Sequence, residues 1–134
     1  MIGHCGKDLQ KLWYDDLDCH VAMGFRVATM GLDVLSCLEK LHSLGFCHQD
    51  LKLENICFKN GQYTLIDFGC ALRINHKKVK SKKPRGNTMF ASIRQLTGRV
   101  IPQDDVESLL YVLTYCMDNF QLPWQKLKSG TTMQ

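Results

Sequence analysis

Two short stretches hold the side chains best suited to chemistry. The first is His48-Gln49-Asp50-Leu51-Lys52-Leu53-Glu54-Asn55, which gathers an imidazole, two carboxylates, an ammonium and amides in one run. The second is Asp67-Phe68-Gly69, a little further along the chain. By type, a carboxylate can take up a proton or bind a hard cation, an amide oxygen can bind the same cation, and an ammonium can neutralise an anion. Singly, each residue reads as a solvated loop carboxylate or amide. Together, at this separation, they suggest one site.

Helices and a hairpin must position that site. The spacing predicts a helix over 21–44, directly before the first stretch. Phe25, Ala28, Leu32, Leu35, Leu38 and Leu41 recur mostly three or four apart and are expected on its buried face. Asp18 falls in the N-cap region, and Gly45 fits the left-handed position after the last turn. Gly24 and Gly31 weaken the interior of this helix. A second helix is predicted over 103–119. Its stripe is Val106, Leu109, Leu110, Leu113, Cys116 and Met117, and Tyr111, Val112 and Tyr115 add apolar bulk on other faces. A helix apolar nearly all round belongs in the middle of a fold. Asp104, Asp105 and Glu107 suit its positive N-terminal end. Residues 55–58 and 63–66 read as strands around Lys59-Asn60-Gly61-Gln62, where Asn60-Gly61 is a strong two-residue turn. A shorter helix over 7–13 comes first. The result is mainly α with a small β-hairpin.

Composition sets the outer bounds. The chain has 134 residues, 45% of them hydrophobic, and a formal charge of +4. That suits one domain or a piece of one. Its seven cysteines are odd in number and scattered. No Cys-x-x-Cys occurs, and the nearest approach to a metal set is Cys47-His48 with His42. Reduced, buried cysteines in a reducing compartment are therefore expected. The start, Met1-Ile2-Gly3-His4-Cys5, lacks a basic segment followed by an apolar one, and no apolar run could span a bilayer. The expectation is a soluble, intracellular protein, cytoplasmic or nuclear, without a membrane partner.

The two chemical stretches resemble the protein-kinase catalytic loop His-Arg-Asp-Leu-x-x-x-Asn followed by Asp-Phe-Gly. Further on, Gly86-Asn87-Thr88-Met89-Phe90-Ala91-Ser92-Ile93 is similar to the casein kinase 1 stretch Gly-Thr-Ala-Arg-Tyr-Ala-Ser-Ile-Asn. There is no Ala-Pro-Glu. Asp104-Asp105-Val106-Glu107-Ser108-Leu109 and Leu122-Pro123-Trp124-Gln125-Lys126-Leu127-Lys128 resemble two more segments of that family. The resemblance covers nearly the whole chain. It implies a serine/threonine kinase using ATP and Mg²⁺, with the α+β fold of a kinase carboxy lobe. Asp50 would orient the substrate hydroxyl and Lys52 would sit near the transferred phosphate. Asn55 and Asp67 would bind Mg²⁺. Gly3, Cys5, Cys57 and Ile66 would line the nucleotide, with backbone groups of Gly3 and Cys5 facing adenine and Cys57 on its floor. His48 and Gly69 would support the loop, Gly69 by letting the chain turn sharply. Asp105 would bond the catalytic-loop backbone, its alternative role being a plain first-turn carboxylate.

Departures from the family pattern carry expectations too. The residues 1–134 align from the hinge onward, as a partial kinase domain. The Gly-rich loop, the strand Lys, its Glu partner and the final helices have no counterpart here. The isolated chain is expected to bind ATP weakly and to have little activity. Gln49 replaces an Arg, so control by a phosphorylated activation segment is not expected. Leu53 replaces a common Pro, and Asn87 replaces the Thr expected beside Asp50, although an amide can still hydrogen-bond a carboxylate.

Lys77, Lys78, Lys80, Lys82, Lys83 and Arg85 form a basic run within the activation segment of the resemblance. Such charge would attract acidic or already phosphorylated protein substrates. A solvated loop is the plain alternative. No aromatic interleaves the run, which disfavours nucleic acid. Against the enzyme stands a non-catalytic, pseudokinase-like interaction module that would bind a partner kinase or mimic a substrate-docking surface.

Overall fold

The computed structural model describes residues 4–5, 7–15, 20–74 and 86–125. In chain order these form β1 (His4–Cys5), α1 (Lys7–Asp15), α2 (His20–Ser43) and β2 (Phe46–Cys47). A single 3-10 turn over Leu53–Asn55 leads into β3 (Ile56–Lys59) and β4 (Gln62–Leu65). β5 (Leu72–Arg73), α3 (Ile93–Leu96) and α4 (Pro102–Met117) complete the order. Helices dominate, with two small antiparallel sheets, β1-β3-β4 and β2-β5. Among the described residues, no helix is long and apolar enough to cross a membrane.

The hairpin forms where its turn chemistry demands it. Asn60 and Gly61 both take positive φ, 54° and 74°. This is the two-residue turn whose twist matches paired strands. Ile56 pairs with Leu65 and Lys59 with Gln62, while Asn55 lies in the 3-10 turn and Ile66 just beyond β4. Gly45, at φ 87°, ends α2 in the left-handed conformation. The region proposed for its N-cap, at Asp18, lies outside the described residues.

The face α2 buries is only partly the one read from the spacing: of that stripe Leu38 is buried and Leu41 half-buried. Val27, Met30, Val34 and Leu38 are buried, whereas Phe25 is 75% and Leu32 68% exposed, and Leu35 and Ala28 are also exposed. Both stripes have helical period, so period alone could not choose between them. Contacts with α4 and β4 decide it. Gly31 is part of this choice: a Cβ there would sit 3.0 Å from Leu113 Cδ1, so glycine lets the two helices approach closely. Asp33 accepts the Tyr63 backbone N–H at 3.1 Å and ties β4 to the same side of α2.

On α4 the buried set is Asp104, Asp105, Ser108, Leu109, Val112 and Cys116. Leu110 and Met117, expected on the buried stripe, are exposed. Trp13 of α1 meets Tyr63 edge-on. The chain after α4 returns to the 86–92 segment through the Trp124 indole, whose Nε1 donates to the Met89 carbonyl at 2.8 Å.

Candidate active site

The site is anchored from beneath by α4. Asp105 is buried, and its carboxylate accepts the backbone N–H of His48 at 2.7 Å and of Gln49 at 3.0 Å. His42 Nε2, on α2, lies 2.8 Å from the same carboxylate. Charge-assisted bonds of this kind are stronger than neutral ones. Cys47 completes a cluster with His42 and Asp105 whose ligand-type atoms lie within 4.8 Å of one another. Burial, then Asp105 and Asp104, push the Cys47 thiol up to about 12. Asp105 already takes three hydrogen-bond contacts, so the cluster serves as a hydrogen-bonded buttress beneath the loop.

His48 reaches across to the second stretch. The Asp50 N–H can only donate, so His48 Nδ1, 3.1 Å away, must accept. The Ile66 carbonyl can only accept, so Nε2, 3.0 Å away, must carry the proton. His48 is therefore a neutral Nε2–H imidazole, buried and doubly committed. Its ring also packs edge-on against Phe68, with centroids 5.4 Å apart. One side chain thus grips both residues that flank Asp67.

Asp50 is buried, and both of its oxygens are engaged. Oδ1 accepts the Asn87 backbone N–H at 2.8 Å and the Asn87 side-chain amide at 2.9 Å. Oδ2 accepts Asn55 Nδ2 at 3.1 Å, with Lys52 Nζ at 3.7 Å. Burial pushes the Asp50 pKa up and is the largest single influence. The Asn87 and Asn55 hydrogen bonds and the Lys52 charge outweigh it together, so the pKa ends below the ordinary value. Asp50 is a carboxylate at neutral pH. Among the described residues, Oδ2 accepts one hydrogen bond, from Asn55, and keeps a further acceptor position.

Asn55 gives its amide hydrogens to Asp50 O at 2.7 Å and to Asp50 Oδ2, which leaves its own Oδ1 as an acceptor. Its backbone carbonyl accepts Ile66 N–H at 2.8 Å, fixing the approach to Asp67. Asp67 is exposed; one of its oxygens accepts Gly69 N–H at 3.1 Å. An amide oxygen and a solvent-facing carboxylate are each the kind of hard oxygen donor that Mg²⁺ takes. The left-handed residue of this turn is Asp67 itself, at φ 57°, rather than Gly69. At Gly69 an added Cβ would lie 3.1 Å from Asp67 Oδ1. A side chain at 69 would crowd the carboxylate, which would have to shift by a few tenths of an ångström.

A match to a family supports this geometry: the family model described as protein kinase domain covers residues 17–133. The chain belongs to the protein kinase domain family.

In this kinase domain some residues contribute that the motifs did not reveal. Gln49 has φ 70°, and its Nε2 donates to the Cys70 carbonyl at 3.1 Å, linking the catalytic loop to the residue after Gly69. Its own carbonyl accepts Gln95 Nε2 at 2.7 Å. Gly86, at φ 79°, sits against that carbonyl so closely that an added Cβ would overlap it. Ser92 caps α3 by accepting Gln95 N–H at 2.9 Å and donates to Asp104 Oδ1 at 2.9 Å. Glycine at 86, directly before Asn87, was the one signal in the sequence for this close approach.

At the proposed nucleotide edge, Cys5 stands opposite Cys57 across β1 and β3. Cys57 and Ile66 are half-buried. Cys57 is disulfide-bonded, which corrects the expectation of reduced cysteines throughout. Cys37, Cys47, Cys70 and Cys116 are free. Gly3 and the basic run Lys77, Lys78, Lys80, Lys82, Lys83 and Arg85 lie outside the described residues.

Proposed function

We propose that this chain carries the catalytic loop of a casein kinase 1-type serine/threonine kinase, which moves the γ-phosphoryl group of ATP to Ser or Thr in acidic or already phosphorylated proteins, and that by itself it has weak activity or none. The observation that carries the reading is the state of Asp50: ionised, held by Asn87 and Asn55, and within 3.7 Å of Lys52. Magnesium-bound ATP, when present, supplies the transferable group and neutralises its charge. This chain's residues do the rest. Asp50 Oδ2 accepts the hydroxyl proton as the oxygen attacks, Lys52 offers positive charge beside it, and Asn55 and Asp67 offer oxygen ligands. The basic run supports the choice of acidic substrates by its charge.

The test uses the full chain, radiolabelled ATP with Mg²⁺, and casein. Transfer that Asp50→Asn abolishes supports the reading. Weak transfer or none is expected of this chain by itself; absence of any Mg²⁺-dependent ATP binding, even at saturating ATP, sinks the reading and points to an interaction module.

A further inference from the structure

Among its described residues α2 carries two apolar stripes, and the core takes only one of them. Val27, Met30, Val34 and Leu38 are buried. Phe25, Ala28, Leu32 and Leu35 stay exposed. Their steps of three, four and three residues are those of a coiled-coil seam. No charged side chain falls within the seam, and the next position in the series, Glu39, ends it. The exposed side of α4 widens this surface. Leu110, Leu113 and Met117 recur three and four apart, and Leu113 lies against Gly31 of α2. On each helix that contact falls between the buried stripe and the exposed one, so the two exposed stripes border each other.

We propose that this face binds a second copy of the chain, with the two α2 helices antiparallel. The seam reads the same from either end. A two-fold axis at the level of residue 30 therefore sets Phe25 of one copy against Leu35 of the other, and Ala28 against Leu32, small against large. The absence of charge leaves nothing for an acidic or basic partner to pair with. The area is also sufficient. Phe25, Leu32, Leu35, Leu110 and Met117 are each between 44% and 75% exposed. At on the order of 100 Å² apiece they present roughly 500 Å² per copy, large for a surface meant to stay in water. Pairing two copies would bury about 1,000 Å², the lower end for a specific interface. None of these residues belongs to the catalytic loop or to Asp67-Phe68-Gly69, so the dimer does not depend on the phosphotransferase reading.

The experiment is sedimentation equilibrium of the full chain from roughly 1 to 200 µM, the range in which a small interface dissociates. The expected result is a shift from one copy to two as concentration rises. Leu32→Glu should weaken the dimer by about 30-fold or more, the scale of a central interface residue. Leu44→Glu alters a leucine that is 73% exposed beyond the end of α2 and off the seam, and should leave the dimer unchanged. Ala28→Lys should weaken association when alone. Mixed with the Leu32→Glu chain it should restore a dimer, because the two positions meet across the axis with opposite charges. Thermal unfolding checks that each variant is folded, and Phe25→Glu replaces Leu32→Glu should that variant fail to fold. A chain that stays monomeric throughout overturns the proposal. So does growth beyond two copies, a dimer linked by a disulfide between chains, or equal weakening by Leu44→Glu and Leu32→Glu. A mixture of the two charged variants that remains monomeric overturns it as well.

Discussion

The carboxylate of Asp105 accepts the backbone N–H of His48 at 2.7 Å although the two residues are 57 positions apart. It takes Gln49 N–H in the same way at 3.0 Å. The start of the catalytic loop is thus hung from the first turn of α4. Asp105→Ala would leave two buried donors without an acceptor, at a cost of about 3–5 kcal/mol. Asp105→Asn keeps one acceptor oxygen and should cost roughly half as much. Urea unfolding of the three proteins checks this through their midpoints at unchanged slope. A loss of under about 1 kcal/mol for the alanine variant would mean that the anchor carries little.

Asn87 sets the protonation of Asp50 as well as its position. Burial opposes the charge on Asp50, and the two Asn87 hydrogen bonds, Lys52 and Asn55 together reverse that effect. The folded pKa therefore lies below the unfolded value of about 3.8. The stability linked to this group is present above that value and is lost as pH falls through the folded pKa. Asn87→Ala removes the side-chain bond and keeps the backbone one. Its Asp50 pKa should rise, and acid unfolding should begin at a higher pH than in the unaltered chain. Unfolding midpoints measured from pH 3 to 7 test this; curves that stay parallel over the range would refute it.

Two glycines should respond in opposite directions to the same substitution. At Gly86 an added methyl would overlap the Gln49 carbonyl, lie 3.1 Å from its carbon and 3.2 Å from Asp50 Cα, and face a backbone at φ 79°. These neighbours are backbone and cannot swing aside. Gly86→Ala should destabilise by roughly 3 kcal/mol or more, through displacement and left-handed strain together. At Gly24, in α2, nothing lies within 4 Å of the added atom. Gly24→Ala should stabilise by about 0.5–1 kcal/mol, from helix propensity alone. Thermal and urea unfolding of the pair provide an internal control for each other.

Local chemistry made part of this fold legible and long-range packing hid the rest. Asn60-Gly61 named its hairpin because the turn needs two left-handed residues and asks nothing of distant elements. The helices over 20–43 and 102–117 were likewise readable from period. The buried face of α2 was readable only at its C-terminal end, at Leu38 and Leu41. Apolar residues lie on two sides of it, and Gly31 against Leu113 and Asp33 against Tyr63 choose between them. Asp50, Lys52, Asn55 and Asp67 stood out by motif. Their supports did not, because Gln49 to Cys70, Gln95 to Gln49 and Ser92 to Asp104 are side-chain pairings with no fixed spacing. The pairing of β1 with β3 involves two residues, too few for any period to show.

Two thiols should report on the core directly. Burial pushes the Cys116 thiol up to about 12, and burial with Asp105 and Asp104 does the same for Cys47. The thiolate is the reactive form, so at pH 8 both should resist iodoacetamide in the folded chain and react once urea exposes them. Cys37 and Cys70 are half-buried and free, and should label first. The sign of the linkage follows. The folded pKa exceeds the ordinary 9.0, so the stability these thiols confer is complete below about pH 9 and declines as pH rises toward 12. Replacing Cys116 by Ala removes its share of that alkaline sensitivity, leaving that of Cys47, but opens a small cavity, at a cost of about 1 kcal/mol near neutrality. Mass-resolved labelling against time separates the two classes of thiol. Rapid labelling of Cys47 before any unfolding would mean that the wall between α2, β2 and α4 is open, and that the Asp105 anchor is wetter than its geometry implies.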